Sequence, residues 1–395
     1  MRTILKNGTV ITPERKIEGG VVFKNSRIKK VFTSEEEIDI SNEDKVIDVK
    51  GCTITPGFID IHTHGGGGYD FMDGKVEDFK GASKAHMEFG TTSIIPTTLT
   101  STKEETYNIL DNFNQAKKEM KQGPEILGLH LEGPYFAHEQ KGAQDPRYIR
   151  NPDPEEYNKI LSACPYIVRW TAAPELEGAL EMGRKLKKRG ILAAVGHSNA
   201  VFSEVQEAFE NGYEHITHLY SGMSSVRRIN AYRYSGVVES AYLIDDLTVE
   251  IIADGCHLPA SLLKLIYKIK GPNKIALITD SMRGAGMPEG KYIIGSKKEG
   301  QEVIVEEGVA KLKDRSAFAG SVATADRLVR TMVELAEVPL KEAVKMMTLT
   351  PAQIMGIDSK KGILGADKDA DIVVFDKDIK VKMVICSGEV MVNKF

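Results

Sequence analysis

The feature that most constrains the fold is the regular alternation of apolar, strand-like runs with helix-like stretches through the middle of the chain. The strand-like runs span residues 57–65, 92–99, 125–132, 167–174, 191–197, 215–219, 248–254 and 274–280. Most are separated by helical stretches, such as residues 75–89, 103–121, 177–189 and 203–211. Alternating strands and helices form parallel βαβ units, and eight such units close a barrel. We therefore predict an α/β fold built on a (β/α)8 barrel of the TIM type.

The two ends of the chain indicate a second, smaller unit. Short runs rich in β-branched residues lie at 9–12, 20–23 and 45–49, and again at 370–375 and 381–386. Such runs with polar interruptions are typical of antiparallel strands. We predict a small discontinuous β-sandwich domain from residues 1–55 and 358–395, with the (β/α)8 barrel at 56–357 between them. Residues 289–314 read as hairpins and are expected to be an excursion after the eighth barrel strand.

Composition excludes several classes of protein. The 395 residues carry 52 Lys and Arg against 56 Asp and Glu, a formal net charge of −4, which gives no support to a nucleic-acid binder. The four cysteines are scattered, so neither a disulfide framework nor a thiolate zinc site is predicted. No apolar run approaches the roughly 20 residues that span a membrane, and the N-terminus is too polar for a signal peptide. We expect no membrane partner and a cytoplasmic location.

The first strand-like run ends in two histidines, His62 and His64, followed by four glycines at residues 65–68. Residues two apart on a strand share a face, so both imidazoles point the same way. Two converging imidazoles form half of a metal site, and the glycines permit an irregular loop close to a ligand. By itself this short motif also fits a pair of solvated histidines at a turn.

Further ligand-type residues occupy equivalent places. Glu132, His197, His218 and Asp280 fall at the ends of the third, fifth, sixth and eighth strand-like runs. The carboxyl ends of the strands meet at one face of a barrel, where active sites lie. His130 shares a face with Glu132 but lies one layer deeper, which predicts a supporting role. This convergence favours a metal-dependent active site over isolated capping groups.

At this point the sequence resembles the amidohydrolase superfamily, and within it the deacetylases of N-acetylated amino-sugar phosphates. The motifs that carry the resemblance are Pro-Gly-Phe-Ile-Asp-Ile-His-Thr-His at 56–64, His-Leu-Glu-Gly-Pro at 130–134, Gly-His-Ser at 196–198, Thr-His-Leu-Tyr at 217–220, Ala-Asp-Gly-Cys-His at 253–257, Thr-Asp-Ser at 279–281, Ala-Gly-Ser at 319–321 and the segment 365–373. The likeness covers essentially the whole chain.

The resemblance implies a metal centre and a proton-transfer residue. Glu132, His197 and His218 are the implied ligands, and His62 with His64 complete a second position. One or two divalent ions are expected per subunit, zinc or iron first, with manganese and cobalt also suited to such donors. The fourth strand lacks the lysine that some relatives carboxylate, so Glu132 is expected to supply that negative charge. Asp280 is the implied general base and acid.

The resemblance also implies the residues that bind substrate: Ala143, Gln144, Ser221, Gly222, Arg233, His257, Phe318, Ala319 and Gly320. This chain departs from the usual pattern at two places. Ser221-Gly222 stands where most members have Asn-Ala, and Gln144 stands where many have His. Arg233 aligns with an Arg that binds phosphate across a dimer interface, so a homodimer is expected. Arg227 and Arg228 lie nearby and are alternatives for that role.

The function implied is hydrolysis of the acetamide of a 6-phosphorylated N-acetylhexosamine, with N-acetyl-D-glucosamine 6-phosphate as the expected substrate. Two other enzyme functions remain open because of the departures at Ser221-Gly222 and Gln144: the galactosamine epimer as substrate, or a non-sugar amide. A third alternative is that the chain is not an enzyme: the barrel has lost catalysis and serves as a scaffold. That reading predicts missing ligands, whereas all five ligand candidates and Asp280 are present.

Overall fold

Eight parallel strands close the predicted barrel within residues 2–395, which are the residues that the computed structural model describes. In chain order, barrel strands 1 to 8 are Phe58–Thr63, Thr91–Pro96, Leu129–Glu132, Ile167–Ala172, Leu192–Val195, Tyr213–Ile216, Thr248–Ile251 and Ile275–Leu277. A short strand, Glu125–Ile126, precedes strand 3 and pairs with strand 2. Strands 3 to 8 form one parallel sheet in sequence order, and strand 1 pairs with strand 2.

Backbone contacts at the carboxyl ends of the strands complete the ring. Thr97 forms a parallel bridge with His130, which joins strands 2 and 3. The amide of Asp280 donates to the carbonyl of His62 at 2.9 Å, and the amide of His64 donates to the carbonyl of Ser281 at 2.8 Å. These bonds join the end of strand 8 to strand 1. The prediction of a (β/α)8 barrel with a β domain from both termini is confirmed.

The helices follow the barrel strands and cover the sheet. Their bounds are Val76–Met87, Lys103–Glu119, Pro154–Ala163, Ala179–Lys188, Phe202–Glu210, Val237–Leu243, Ala260–Lys270, Ala325–Glu334, Leu340–Met347 and Leu349–Ile354, with 3-10 turns at Phe71–Asp73 and His138–Gln140. Local chemistry sets their starts: Thr102 Oγ1 accepts from the amide of Glu105, and Asp153 caps a helix that begins with a proline. No helix among the described residues has the length and apolarity needed to cross a membrane.

Both termini contribute to one mixed sheet beside the barrel. Its strands are Arg2–Ile11, Lys16–Lys24, Arg27–Thr33, Lys45–Asp48, Thr53–Pro56, Ile372–Phe375, Val381–Cys386 and Glu389–Asn393. The C-terminal part joins the N-terminal part where Ile372–Phe375 pairs antiparallel with Thr53–Pro56. Buried side chains from both parts, among them Leu5, Phe23, Ile372 and Met383, form a separate apolar core. We propose domain boundaries of 1–55 with 358–395 and 56–357.

Three smaller β elements lie outside the barrel and the terminal sheet. Residues Gly290–Ile294, Gln301–Glu306 and Val309–Leu312 form an antiparallel sheet after barrel strand 8, where the sequence predicted hairpins. Strands Arg227–Ile229 and Tyr232–Tyr234 form an exposed hairpin after barrel strand 6. Gly65–Gly66 pairs with Tyr69–Asp70 directly after strand 1.

The inside of the barrel combines an apolar cluster with a set of buried polar side chains, although aliphatic side chains usually fill such barrels. On strand 1, Ile59 and Ile61 belong to the apolar cluster that includes Ala352 of a covering helix. The pairing of strand 1 with strand 2 is irregular between Asp60 and Thr63, and His62 points into the barrel, where its Nδ1 lies 3.1 Å from Oε2 of Glu250. The inward set contributed by the other strands includes His130, Arg169, Thr171, His215, Thr217 and Glu250, all of them fully buried. This network lies beneath the predicted active site.

Candidate metal centre and active site

Five predicted ligands converge on one point at the carboxyl face of the barrel. Oε1 of Glu132 lies 3.0 Å from Nε2 of His218, 3.4 Å from Nε2 of His197 and 3.5 Å from Nε2 of His62. Its other oxygen lies 3.4 Å from Nε2 of His64. Two groups of three ligand atoms result, and they share Glu132: one with His62 and His64, and one with His197 and His218. The carboxylate therefore lies between two candidate metal positions.

The spacing and chemistry of these atoms suit divalent cations. Four ligands at about 2.1 Å from a tetrahedral ion lie about 3.4 Å from one another. The distances from Glu132 to the four imidazoles run from 3.0 to 3.5 Å, and all five residues are buried. Imidazole nitrogen with carboxylate oxygen suits zinc, iron, manganese and cobalt. The residues present therefore fit a metal centre.

The hydrogen bonds behind the cluster orient the imidazoles for metal binding. Nδ1 of His62 lies 3.1 Å from a carboxylate oxygen of Glu250, and Nδ1 of His64 lies 3.2 Å from the carbonyl of Thr97. Nδ1 of His197 lies 2.8 Å from the carbonyl of Gln140. These acceptors carry no proton, so each Nδ1 must donate. The lone pair of a neutral ring is then on Nε2, which faces Glu132.

The electrostatics of the site favour positive charge. Burial would raise the pKa of Glu132, but the surrounding imidazoles, His62 first, hold it well below its ordinary value. Burial would lower the pKa of His64, yet its contacts with Asp280 and Glu132 raise it to about 10. The two carboxylates thus attract a cation, and a divalent ion has to displace the proton from such an imidazole before the nitrogen can bind it.

Asp280 lies beside the cluster. Its Oδ1 is 3.1 Å from Nε2 of His64 and 3.6 Å from Nε2 of His62. Burial would raise the pKa of Asp280, but His62 and His64 lower it overall, so the side chain is a carboxylate at neutral pH. An ionised carboxylate next to the metal ligands is suited to accept a proton.

Three of these residues lie in tight turns just after their strands. His197, His218 and Asp280 have φ values of +48°, +29° and +46°, in the left-handed region that side chains rarely adopt. Strands 5, 6 and 8 end two or three residues earlier than the sequence predicted, directly before these turns. Strained backbone of this kind concentrates at functional sites, where the surrounding structure holds it in place.

Gln144 lines the pocket, and its side-chain amide is engaged by the protein. Nε2 donates to Oε2 of Glu132 at 2.8 Å, while Oε1 accepts from the amide of Thr100 at 2.8 Å. The sequence suggested that Gln144 contacts the sugar or the acetyl oxygen. The observed bonds also orient Glu132, because they fix which of its oxygens faces His64, and the contact of Gln144 with the substrate stays a prediction.

Gln144→Ala is therefore expected to weaken metal binding by about 10–100-fold, the usual range for a group that orients a ligand. The measurement is a competition titration against a chelating dye. Gln301→Ala is a matched control, since Nε2 of Gln301 donates to the carbonyl of the neighbouring Ala143 at 2.8 Å and supports the same loop. Unchanged metal affinity in Gln144→Ala, or the same loss in both variants, would show that the bond to Glu132 does not matter.

A pocket of about 290 Å³ opens above the cluster. The predicted residues among those lining it are His64, Glu132, Ala143, Gln144, His197, His218, Ser221, Gly222, His257, Asp280, Phe318 and Gly320. His62 lies below its floor, and Ala319 is buried in the apolar cluster behind Phe318. Arg233 lies on the exposed hairpin and is not part of the lining. Leu99, Tyr220, Ile252, Ile294 and Ala317 also line the pocket and were not singled out from the sequence.

Two of the predicted contact residues are held in place by the chain itself. Nδ1 of His257 lies 2.8 Å from a carboxylate oxygen of Asp254, and the ring of Phe318 lies 4.7 Å from that of His257.

At Gly222, an added Cβ would lie 2.8 Å from Nδ1 of His197, and φ is +55°. Glycine at this position lets the loop approach a candidate metal ligand.

Sequence reasoning missed Arg169 and Glu250, which form an ion pair beneath the cluster. A signal was present, because a glutamate interrupts the apolar run of strand 7 and an arginine interrupts that of strand 4. A charge in a strand buried on both faces requires a partner. Sequence alone did not indicate that these two charges pair with each other.

The fold and the metal-ligand cluster together define a family. The chain belongs to the amidohydrolase family, whose model matches residues 53–391. Among characterised relatives, it is 33% identical over 392 residues to the N-acetylglucosamine-6-phosphate deacetylase of Bacillus subtilis (strain 168), covering 98% of this chain and 96% of the relative. It is also 33% identical over 337 residues to the N-acetylgalactosamine-6-phosphate deacetylase of Escherichia coli O157:H7, covering 85% of this chain and 87% of the relative.

A solved structure agrees with these relatives. A mutant N-acetyl-D-glucosamine-6-phosphate deacetylase from Mycobacterium smegmatis, in complex with N-acetyl-D-glucosamine 6-phosphate, matches with a TM-score of 0.89 and 29% identity. The match covers 99% of this chain and 100% of the M. smegmatis chain. The resemblance drawn from the sequence motifs is thereby confirmed.

Proposed function

We propose that this chain is a metal-dependent amide hydrolase that converts N-acetyl-D-glucosamine 6-phosphate to D-glucosamine 6-phosphate and acetate, a step of amino-sugar catabolism. The observation that carries the proposal is the convergence of five metal-ligand side chains and Asp280 at the floor of one pocket. The relatives of known activity support the choice of substrate.

Glu132, His197 and His218 would hold one ion, and His62 and His64 with Glu132 would hold a second, zinc or iron in preference to manganese or cobalt. A bound divalent cation lowers the pKa of a water molecule and polarises a carbonyl group, which is the chemistry that amide hydrolysis needs. The chain's contribution is to orient the imidazoles through Thr97, Gln140 and Glu250 and to exclude bulk water from a buried site.

Asp280 moves the proton. Its carboxylate accepts a proton as a nucleophilic water attacks the acetamide carbonyl, and it then gives that proton to the departing amine nitrogen. Without this transfer the amine would leave as an anion, which is a poor leaving group. The backbone of Asp280 is fixed on both sides, since its amide donates to His62 at 2.9 Å and its carbonyl accepts from Ser321 at 2.7 Å.

The residues above the metal floor bind the sugar phosphate. Ala143, Ser221, Gly222 and Gly320 line the pocket wall, and His257 and Phe318 provide a polar and an aromatic surface. Backbone N–H groups bind phosphate without needing a particular side chain. The replacement of Asn-Ala by Ser221-Gly222 therefore leaves this function possible.

The phosphate dianion also requires a cation. No Lys or Arg lines the pocket in the described part of this chain. Arg227 is committed to Asn199, donating to its carbonyl at 2.7 Å. Arg228 and Arg233 are paired opposite each other across the exposed hairpin. Like charges placed so close favour an anion near them. We assign the phosphate contact to Arg233, delivered by a neighbouring subunit.

The hairpin that carries Arg233 is suited to pack against a second copy of this chain in a dimer interface. Its side chains include Tyr232, which is 74% exposed, Tyr234 at 42% and Ile229 at 37%. Exposed apolar side chains grouped in this way mark interaction surfaces. A homodimer with two equivalent contacts is the simplest symmetric assembly.

Arg233→Ala should weaken kcat/KM for the phosphorylated sugar by about 2–4 kcal/mol, the scale for losing one partner of a desolvated charge pair. The unphosphorylated sugar should be nearly unaffected. Arg228→Ala is the matched comparison on the same hairpin and should lose less. Equal losses on both substrates would make Arg233 structural, and a larger loss in Arg228→Ala would move the phosphate contact to Arg228.

Mixing variants tests whether Arg233 acts between subunits. In a mixed dimer of Asp280→Asn and Arg233→Ala, one active site has Asp280 in place and receives Arg233 from the other subunit. Activity should therefore rise when the two poorly active proteins are exchanged into mixed dimers. No rise, with mixed dimers confirmed by mass, would contradict an intersubunit role.

The proposed substrate is tested with a panel: N-acetylglucosamine and N-acetylgalactosamine, each with and without a 6-phosphate, and a simple N-acyl amide. We expect acetate release to be fastest with N-acetyl-D-glucosamine 6-phosphate. Faster turnover of the galactosamine epimer would favour the alternative substrate, in line with the E. coli relative. Turnover of the non-sugar amide alone would overturn the sugar assignment.

A further inference from the structure

Two opposite charges lie inside the barrel, below the metal-ligand cluster and away from solvent. Arg169 of strand 4 and Glu250 of strand 7 are both 0% exposed. Their side chains form a bidentate ion pair: Nη1 of Arg169 contacts Oε1 of Glu250, and Nη2 donates to Oε2 at 2.9 Å. Burying two charges is costly unless each is paired and hydrogen-bonded. A buried pair of this kind needs a reason to be placed here.

Glu250 connects this pair to the active site. Its Oε2 lies 3.1 Å from Nδ1 of His62. A carboxylate has no proton to give, so Nδ1 of His62 must donate to it. Nε2 of His62 then presents its lone pair to the cluster, where it lies 3.3 Å from Nε2 of His64 and 3.5 Å from Oε1 of Glu132.

His62 is the only candidate ligand in the described chain whose Nδ1 is paired with a carboxylate. His64 and His197 use the backbone carbonyls of Thr97 and Gln140, and Nδ1 of His218 has no protein partner among the described residues. Glu250 touches the other metal position only through the backbone amide of His218, at 3.4 Å. A carboxylate partner strengthens an imidazole as a ligand and fixes its tautomer.

Arg169 fixes the orientation of Glu250. Nη2 of Arg169 also donates to Thr217 Oγ1 at 2.8 Å, and Nη1 donates to the carbonyl of Ile61 at 3.3 Å. Nε2 of His215 lies 3.5 Å from Oε1 of Glu250 on the other side. The guanidinium is thus held by two further strands, and its planar fork sets the plane of the carboxylate.

We propose that Glu250, oriented by Arg169, is a positioning residue that fixes the tautomer of His62 and thereby creates the second metal position, the one formed by His62, His64 and Glu132. This rests on the metal centre of the proposed function. The first position, with His197 and His218, depends less on the pair, because Nδ1 of His197 is oriented by the carbonyl of Gln140 and Glu250 reaches His218 only through its backbone amide.

Glu250→Gln tests the proposal because it removes charge with little change of shape. The guanidinium donates to both carboxylate oxygens, from Nη1 to Oε1 and from Nη2 to Oε2, so the NH2 of the glutamine meets an N–H donor on either side. With its carbonyl oxygen opposite Nη1, the NH2 faces His62. Nδ1 of His62 must then accept, and Nε2 carries a proton that blocks metal binding. We expect the affinity for the second zinc ion to fall about 10–100-fold, with the first ion bound as in the wild type.

The double variant Arg169→Met/Glu250→Gln separates this mechanism from simple destabilisation. Without the guanidinium, the glutamine oxygen is free to turn toward His62 and accept from Nδ1. The second zinc affinity should therefore recover relative to Glu250→Gln, although an ion pair has been lost. Asp371→Asn, in the buried Lys361–Asp371 pair outside the site, is the control and should bind both ions normally.

The readout is zinc per subunit and the two dissociation constants, measured by competition with a chelator, with thermal unfolding followed in parallel. If Glu250→Gln does not fold, Glu250→Asp takes its place, since it keeps the charge beside Arg169 but withdraws the oxygen from His62. Three results would overturn the proposal. The variant that folds binds the second ion with wild-type affinity, affinity is lost equally at both positions, or the double variant shows no recovery. A wild type that binds one ion contradicts this inference alone, whereas one that binds none contradicts the proposed metal centre.

Discussion

Asp280→Asn should lower turnover of N-acetyl-D-glucosamine 6-phosphate by about 10²–10⁴-fold, the usual contribution of a positioned proton-transfer group. The amide is nearly isosteric with the carboxylate but can neither accept the proton nor return it to the amine. The strained turn at Asp280 is held by backbone bonds to His62 and Ser321. The variant is therefore expected to fold and to keep its metal.

The measurement is kcat with saturating substrate, together with metal content per subunit. Comparable KM values with a reduced kcat would place the loss in the chemical step. Thr324→Ala is a useful control because Thr324 lies three residues after Ser321, which bonds Asp280, and its Oγ1 bonds only Asp326 at 2.6 Å. Retention of more than about a tenth of wild-type turnover in Asp280→Asn would remove it from the proton-transfer role.

Glu132→Gln should have the second large effect, the loss of metal from both positions and of nearly all activity. Both candidate positions share this carboxylate, and it supplies the only ligand charge in either group of three. Its replacement leaves neutral donors and also disrupts the bond from Gln144 at 2.8 Å. We expect metal affinity to fall by more than about 100-fold, beyond the range for groups that only orient ligands.

The measurement is elemental analysis after dialysis against a weak chelator, followed by an acetate-release assay. Glu156→Gln is the matched control, since Glu156 is a buried carboxylate paired with Arg150 at 2.7 Å and lies outside the cluster. It is expected to keep wild-type metal content. Normal metal content in Glu132→Gln would contradict the shared-ligand arrangement.

The sequence predicted the barrel and the location of the site because both depend on local patterns. Apolar runs alternating with helices define βα units, and ligand-type residues such as His62, Glu132 and Asp280 were found where those runs end. Their convergence follows from barrel geometry, in which the carboxyl ends of the strands meet at one face. These inferences needed no side-chain conformations.

The partners of those residues depend on contacts between distant strands, and sequence patterns do not specify them. Gln144 bonds Glu132 across 12 residues, and Arg169 bonds Glu250 across 81. Most strand ends were also predicted two to three residues too late. At strands 5, 6 and 8 the chain turns at His197, His218 and Asp280 into a left-handed conformation that no local propensity favours. The role of Arg233 depends on a second subunit and remains a prediction.

Metal removal and replacement tests the central claim of a metal-dependent deacetylase most directly. The protein is stripped with a chelator, reloaded with increasing zinc or ferrous ion, and assayed for acetate release from N-acetyl-D-glucosamine 6-phosphate. We expect the stripped protein to remain folded and inactive, and activity to return in proportion to the metal bound by Glu132, His197 and His218. Full turnover by the stripped protein, or no acetate release from any metal-loaded form, would contradict the account.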